Sequence, residues 1–274
     1  MNVFKFALLV ICFCAAMFAQ QTLRVTASLP KKVYLLGEQV DLFIEHTNVS
    51  SAIIRAEDAG MVSVSVVDEN GKKINYRDNF CYFSPDNRDY LPNESTYRNT
   101  CISDGFGKVL YSGYGAGYFE TGEYTVIISS GLRGGHTTRS KIKFKVRKPT
   151  GDELFVFNSA KTILSEEMSD ASAEELARLH EQYPESVYSQ YFLILLKNYY
   201  AYTHKNLIKA DKYINELAEK YSWTSAAQSW VRYVLEQKKT KQERIEFLQR
   251  IKENSKSSKV GRMYEKQLQE ELKK

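Results

Sequence analysis

Lys141-Ile142-Lys143-Phe144-Lys145-Val146-Arg147-Lys148-Pro149-Thr150-Gly151-Asp152-Glu153 is where the grammar of this chain changes. Up to Arg147 apolar and basic residues alternate with period 2, so Ile142, Phe144 and Val146 share one face of a strand. Lys141, Lys143, Lys145 and Arg147 share the other. Pro149 and Gly151 break strand and helix alike, and Asp152-Glu153 suit a helix N-terminus. After them the apolar period becomes 3.6. The basic residues of the last strand have two readings: protection of a sheet edge by lysine, or a stripe for polyanions such as acidic glycans or lipid headgroups.

Working back from the junction, alternation recurs at Leu23, Val25 and Ala27, then at Val40, Leu42 and Ile44. A hairpin comes next, with Val62, Val64 and Val66 leading through Asp68-Glu69-Asn70-Gly71 into Ile74. Val109–Ser112, Tyr124–Ser129 and Ser140–Val146 read as later strands. Short strands separated by Gly, Asn and Asp turns predict a β-sandwich over residues 20–149.

Two local patterns carry a family resemblance. Lys32-Val33-Tyr34-Leu35-Leu36-Gly37-Glu38-Gln39-Val40, running into a strand that ends at Thr47-Asn48, resembles the opening of bacterial Ig-like domains. These include macroglobulin-type domains and the bacterial intracellular proteinase inhibitor fold. Glu120-Thr121-Gly122-Glu123-Tyr124-Thr125-Val126 resembles the Gly-x-Tyr strand entry near the end of such domains. The resemblance implies an Ig-like sandwich and says little of function, because sandwiches host many activities.

Working forward, Leu207, Ala210, Ile214, Leu217, Ala218 and Tyr221 form one helical stripe, and Ala226, Ala227, Trp230, Val231, Val234 and Leu235 another. Breaks fall at Tyr183-Pro184, Thr203–Asn206, Tyr221-Ser222, Gln237–Thr240 and Asn254–Ser258. The corners at Tyr183, Tyr221 and Asn254 recur at spacings of 38 and 33 residues, close to the roughly 34 of tetratricopeptide repeats. Residues 171–272 resemble that family. Ala210 and Pro184 fit its pattern. Lys197 or Asn198 stands where a small residue is expected, and Ser222 replaces a second proline. The fold class expected is thus multidomain all-β plus all-α, with an Ig-like β-sandwich followed over residues 150–274 by an α-solenoid of helical hairpins.

The first 19 residues read as a cleaved export signal: Lys5 is followed by an uncharged apolar run from Phe6 to Phe18, too short to span a bilayer. The expected location is therefore periplasmic or secreted, with no transmembrane span after the leader is removed. Of four cysteines, Cys12 and Cys14 leave with it. Cys81 and Cys101 are expected to pair as a disulfide across about 20 residues, contributing on the order of 3 kcal/mol in the chain-entropy picture.

Chemistry is sparse. The four histidines (His46, His136, His180 and His204) show no metal-ligand spacing. No Gly-x-Ser-x-Gly, His-Glu-x-x-His or phosphate-loop motif occurs, and Arg133-Gly134-Gly135-His136 reads as a hairpin turn. No enzyme and no cofactor are expected. A net charge of +5 is too mild to argue for nucleic acid. Charge is nonetheless uneven: Glu166–Glu185 holds seven acidic residues and one basic, Lys238–Arg262 nine basic and three acidic.

Three functions remain. The first is an adaptor or scaffold that binds another envelope or secreted protein through its helices, as repeats of this kind do. The second is a glycan- or small-ligand-binding module using Tyr82, Tyr90, Tyr97, Tyr114 and Tyr118, several of them interleaved with glycine. The third is a protease inhibitor docking through the 81–101 loop. The oxygen-rich residues of that loop, from Asp86 to Glu94, also allow a calcium site, although their spacing matches no calcium loop.

Overall fold

The computed structural model describes residues 23–55, 62–74, 89–103, 119–131, 137–164, 168–255 and 258–274. Seven strands come first: β1 Leu23–Ser28, β2 Val33–Leu35, β3 Val40–Asn48, β4 Ser63–Asp68, β5 Ser95–Ser103, β6 Gly122–Gly131 and β7 Thr137–Arg147. The helices are α1 Gly151–Ile163, α2 Asp170–Gln182, α3 Ser189–Asn198, α4 Leu207–Lys220, α5 Ser225–Gln237, α6 Lys241–Asn254 and α7 Ser258–Lys273, with a π-helical turn Tyr199–Thr203 after α3.

The strands form two small sheets. One is antiparallel, in the order β1-β3-β5; the other is ordered β2-β7-β6-β4, with β2 parallel to β7 and the remaining pairs antiparallel. Leu42, Ile44, Val64, Val126, Ile128, Phe144 and Val146 contribute to one apolar cluster. The turn after β4 closes as its sequence demands: the Asp68 carboxylate accepts from the Asn70 and Lys72 amides, and Gly71 takes φ +79°. At the start of β6 the Tyr124 ring stacks on Phe144, and its hydroxyl donates to the Glu120 carbonyl at 2.9 Å.

The expected Ig-like β-sandwich with a separate α-solenoid is not what forms. The protein is mixed α/β, with sheets of three and four strands and seven α-helices among the described residues. Strand β3 shows why. A sandwich strand with one wet face alternates buried and exposed, yet Val40, Asp41, Leu42, Phe43 and Ile44 are all buried. Leu42 and Ile44 join the strand core, whereas Phe43 joins Ile214, Val231, Phe247, Leu248 and Tyr264 of the helices. Tyr97 of β5 packs beside Phe43, ring centroids 5.7 Å apart. Helices therefore cover a sheet face that the sequence pattern leaves to solvent. Strand β5 takes up residues 95–101 of the segment that the sequence reading treats as the 81–101 loop.

Helix ends obey local chemistry. Ser169, Asn206, Thr224 and Thr240 accept amide hydrogen bonds at the starts of α2, α4, α5 and α6, and Thr240 with Glu243 makes a capping box. The anticipated corners fall where helices stop, and two of them touch: Tyr221 donates its hydroxyl hydrogen to the Pro184 carbonyl. No helix among the described residues is long and apolar enough to cross a membrane.

A polar joint welds strands to helices. The Asp41 carboxylate accepts from the Gln39 amide side chain at 2.6 Å and from the Ser225 amide at 3.1 Å, where α5 begins. The Gln39 side chain also reaches the Ser225 hydroxyl, and its backbone N–H donates to the Tyr191 hydroxyl. Tyr188 donates to the Leu36 carbonyl at 2.7 Å. Burial raises the Asp41 carboxyl above its ordinary range, opposed by these hydrogen bonds.

Candidate functional site

The π-helical turn at the end of α3 gathers the least conventional side chains of the molecule. A π turn inserts a residue into a helix, rotates the downstream residues about the axis, and recurs at functional sites. Here it leaves Tyr199 and Tyr200 buried and sends Tyr202 outward, 75% exposed. The chain leaves the turn through Lys205 at φ +52°, a left-handed conformation disfavoured for lysine. Leu207 and Ile208 then open α4 at 65% and 87% exposure. Asn206 caps that helix, which fixes where these two apolar side chains emerge.

Lys197, near the end of α3, is only 4% exposed. Its ammonium lies 4.0 Å from the centroid of the Trp230 ring on α5 and 5.6 Å from that of Tyr202. No carboxylate of a described residue comes within 4.0 Å of it. Burial lowers the readiness of this amine to carry its proton. A desolvated cation over an indole gains about 2 kcal/mol from the ring quadrupole, less than the several kcal/mol that burying an ion costs. The charge is held in place and left short of an anion.

The surroundings are firmly built. Tyr200 stacks on Tyr213 of α4, and Lys209 donates to the Tyr200 hydroxyl at 3.1 Å. Tyr199, His204 and Asp170 form a triangle with edges of 3.0, 2.9 and 2.8 Å, tying the start of α2 to the π turn. Behind it His180 of α2 meets Glu216 of α4 at 2.9 Å. That contact and Lys220 hold the Glu216 carboxyl down at about 2. Elsewhere on its surface α5 lines a cleft of about 490 Å³ with α7, whose wall includes Gln228, Leu235, Met263 and Gln267.

Among the residues singled out from sequence, Tyr90 is fully buried against Leu23 and Ile54, where it packs rather than presents a ring. Tyr97 is half-buried against Phe43 and the helical core. Tyr82, Tyr114, Tyr118 and Cys81 lie outside the described residues, and of the proposed disulfide only the backbone of Cys101 in β5 is described. The leader at 1–19 and residues 81–88 of the 81–101 loop also lie outside them. Lys141, Lys143, Lys145 and Arg147 are all exposed, on the face of β7 away from the core. Sequence reasoning passed over Lys197, Tyr202 and Ile208 as site residues. A signal is present in the sequence: Lys197 or Asn198 stands where the helical-repeat pattern expects a small residue. No group of three or more His, Cys, Asp or Glu poised for a metal occurs among the described residues.

No protein-family model and no curated protein matches the chain. Solved structures match weakly. A β-glucosidase from Listeria innocua in complex with glucose aligns at 13% identity and TM-score 0.31, over 46% of this chain and 16% of the enzyme. The CARDB domain of a Pyrococcus furiosus protein, in complex with di-metal ions, aligns at 12% and 0.31 over 48% of this chain and 98% of the domain. The periplasmic chaperone SfaE aligns at 13% and 0.28, over 46% and 58%. The chain spans 16% of the length of the glucosidase it matches, and likenesses at this level carry no functional argument.

Proposed function

We propose that this chain is an exported, non-catalytic binding protein that holds a peptide segment of another envelope or secreted protein on the aromatic–lysine platform around the π turn. The observation that carries the reading is the Lys197 ammonium, nearly buried between Trp230 and Tyr202 with no carboxylate of a described residue in reach, and followed along the chain by the exposed Tyr202, Leu207 and Ile208. The segment that completes it carries a carboxylate for Lys197, from Asp, Glu or a chain end, next to an apolar side chain for the Tyr202–Ile208 surface. Strained backbone at Lys205 and the π turn supports the same assignment, since such features persist where the surroundings over-determine them. Export rests on Lys5 and the apolar run Phe6–Phe18.

Selection of random peptides displayed against the immobilised protein tests it. Enriched peptides should pair an acidic group with an apolar residue, and Lys197→Met should weaken them about 10- to 30-fold, the loss of one charge-assisted contact. Peptides without a carboxylate that bind Lys197→Met and Ile208→Ser as well as the native protein would sink the reading.

A further inference from the structure

Strand β7 presents a row of five cations, and we infer that this row binds a linear acidic polysaccharide. Arg139, Lys141, Lys143, Lys145 and Arg147 are all exposed, while Phe144 and Val146 between them are buried, so the five share the outer face. Alternate residues of a strand stand about 6.8 Å apart, which gives a row roughly 27 Å long. The surface is separate from the helical platform and does not depend on it.

Edge protection does not account for the whole row. At Lys145 and Val146 the strand has β2 on one side and β6 on the other, so Lys145 guards no edge, although β2 does not extend to Arg139, Lys141 and Lys143. Neutralisation within the sheet does not account for it either. Among the described residues only Lys145 has an acidic neighbour, Glu123 at 3.5 Å, and both side chains are more than half exposed, which makes the pair weak. Arg139, Lys141, Lys143 and Arg147 form no ion pair with any described residue.

The neighbouring register indicates what kind of anion fits. Directly across β6 stand Ser129, Ile127, Thr125 and Glu123, and beyond them on β4 stand Ser63, Ser65 and Val67. A cationic line beside hydroxyls suits a chain that is anionic and also rich in hydrogen-bonding groups. Charge alone attracts a basic row to an anionic bilayer, but firm seating there is helped by large apolar side chains that insert. On this face Val33 of β2, 42% exposed, is the one large apolar residue so exposed among those described. The row is also one-dimensional, matching an extended polymer better than a plane of headgroups.

Isothermal titration of the full chain decides the matter, with polygalacturonate as the carboxylate probe, heparin as the sulfate probe and neutral dextran as control. Binding to one or both acidic polymers, weakening as salt rises, is expected. Lys141→Gln/Lys143→Gln should weaken it about tenfold by removing two adjacent charges, while Lys239→Gln/Arg262→Gln, exposed cations of the helical half, should leave it unchanged. Both doubles replace exposed side chains, and matching circular-dichroism melts would verify their folding. Carboxylate-only or sulfate-only binding supports the inference and identifies the anion. No binding to either polymer, equal sensitivity to both doubles, or tighter row-dependent binding to phosphatidylglycerol vesicles or single-stranded DNA would overturn it.

Discussion

Asp41 and Lys197 are both ionisable side chains taken out of water, and they are housed in opposite ways. Asp41 sits at the joint between β3 and α5 with donors from Gln39 and Ser225. Lys197 sits at the end of α3 with aromatic rings and no anion among the described residues. A buried charge with its hydrogen bonds made belongs to architecture, because removing it orphans its partners. A buried charge left short belongs to recognition, because a ligand can still improve it. The difference separates the residues that hold the protein together from those that give it a use.

The largest effect should come from the apolar neighbour of Asp41. Phe43→Ala empties a site enclosed by Ile214, Phe247 and Tyr264, and cavities of this kind cost about 4 kcal/mol. Because Phe43 belongs to a strand while its pocket belongs to helices, the helical signal and the near-ultraviolet signal should melt together, some 10 °C lower. A variant whose strands loosen while the helices melt unchanged would show that the joint does not couple the two halves.

Asp41→Ala comes next, at about 3 kcal/mol, for the two donors it strands. Asp41→Asn keeps an acceptor oxygen and separates shape from charge. The native carboxyl is raised by burial, so between its ordinary value and its folded value the native state binds more protons than the unfolded one. Stability therefore falls as pH rises through that window, and Asp41→Asn should lack the fall. Denaturant titrations from pH 3 to pH 8 read the difference.

Lys197→Met should do the reverse: little or no loss of stability, since an apolar side chain of similar volume escapes the burial penalty, with a gain of up to about 1 kcal/mol. The sign with pH is also opposite. Burial lowers the folded-state affinity of the amine for its proton, so the unfolded state binds more protons in the window between the lowered folded value and the ordinary 10.5, and native stability rises with pH there. Lys197→Met should flatten that rise and weaken peptide capture. A variant that loses several kcal/mol would instead assign Lys197 to architecture.

The local order was largely legible in the chain. Alternation marked β1, β3, β4, β6 and β7, and the junction at Pro149–Gly151 with the breaks at Tyr183-Pro184, Thr203–Asn206, Tyr221-Ser222, Gln237–Thr240 and Asn254–Ser258 marked helix ends. What the pattern could not convey is which elements share a face. Asp41 and Phe43 look like the wet side of a strand until helices from about 170 residues later cover them. Their burial is set by tertiary packing, which local period does not encode. The platform was legible only as an irregularity, Lys197 or Asn198 where a repeat wants a small residue. The π turn that exposes Tyr202 has no period of its own to announce it.

The smallest effect on peptide binding, and the finest probe of how firmly the platform is backed, lies at Glu216. Its carboxylate receives His180 from α2 and Lys220 from its own helix, and is held down to about 2. A depressed carboxyl contributes stability that is fully present above its unfolded value, near 4.5, and is lost as pH falls toward the folded value. Glu216→Gln should therefore cost about 1 kcal/mol at pH 7. The gap from the native protein should close between about pH 4.5 and pH 2. Since α2 and α4 flank the π turn, the same variant should also loosen peptide binding slightly, without the specific loss expected of Lys197→Met. If the gap stays constant across that window, the carboxylate is not what joins the two helices, and the platform owes its rigidity to the stacked rings of Tyr200 and Tyr213.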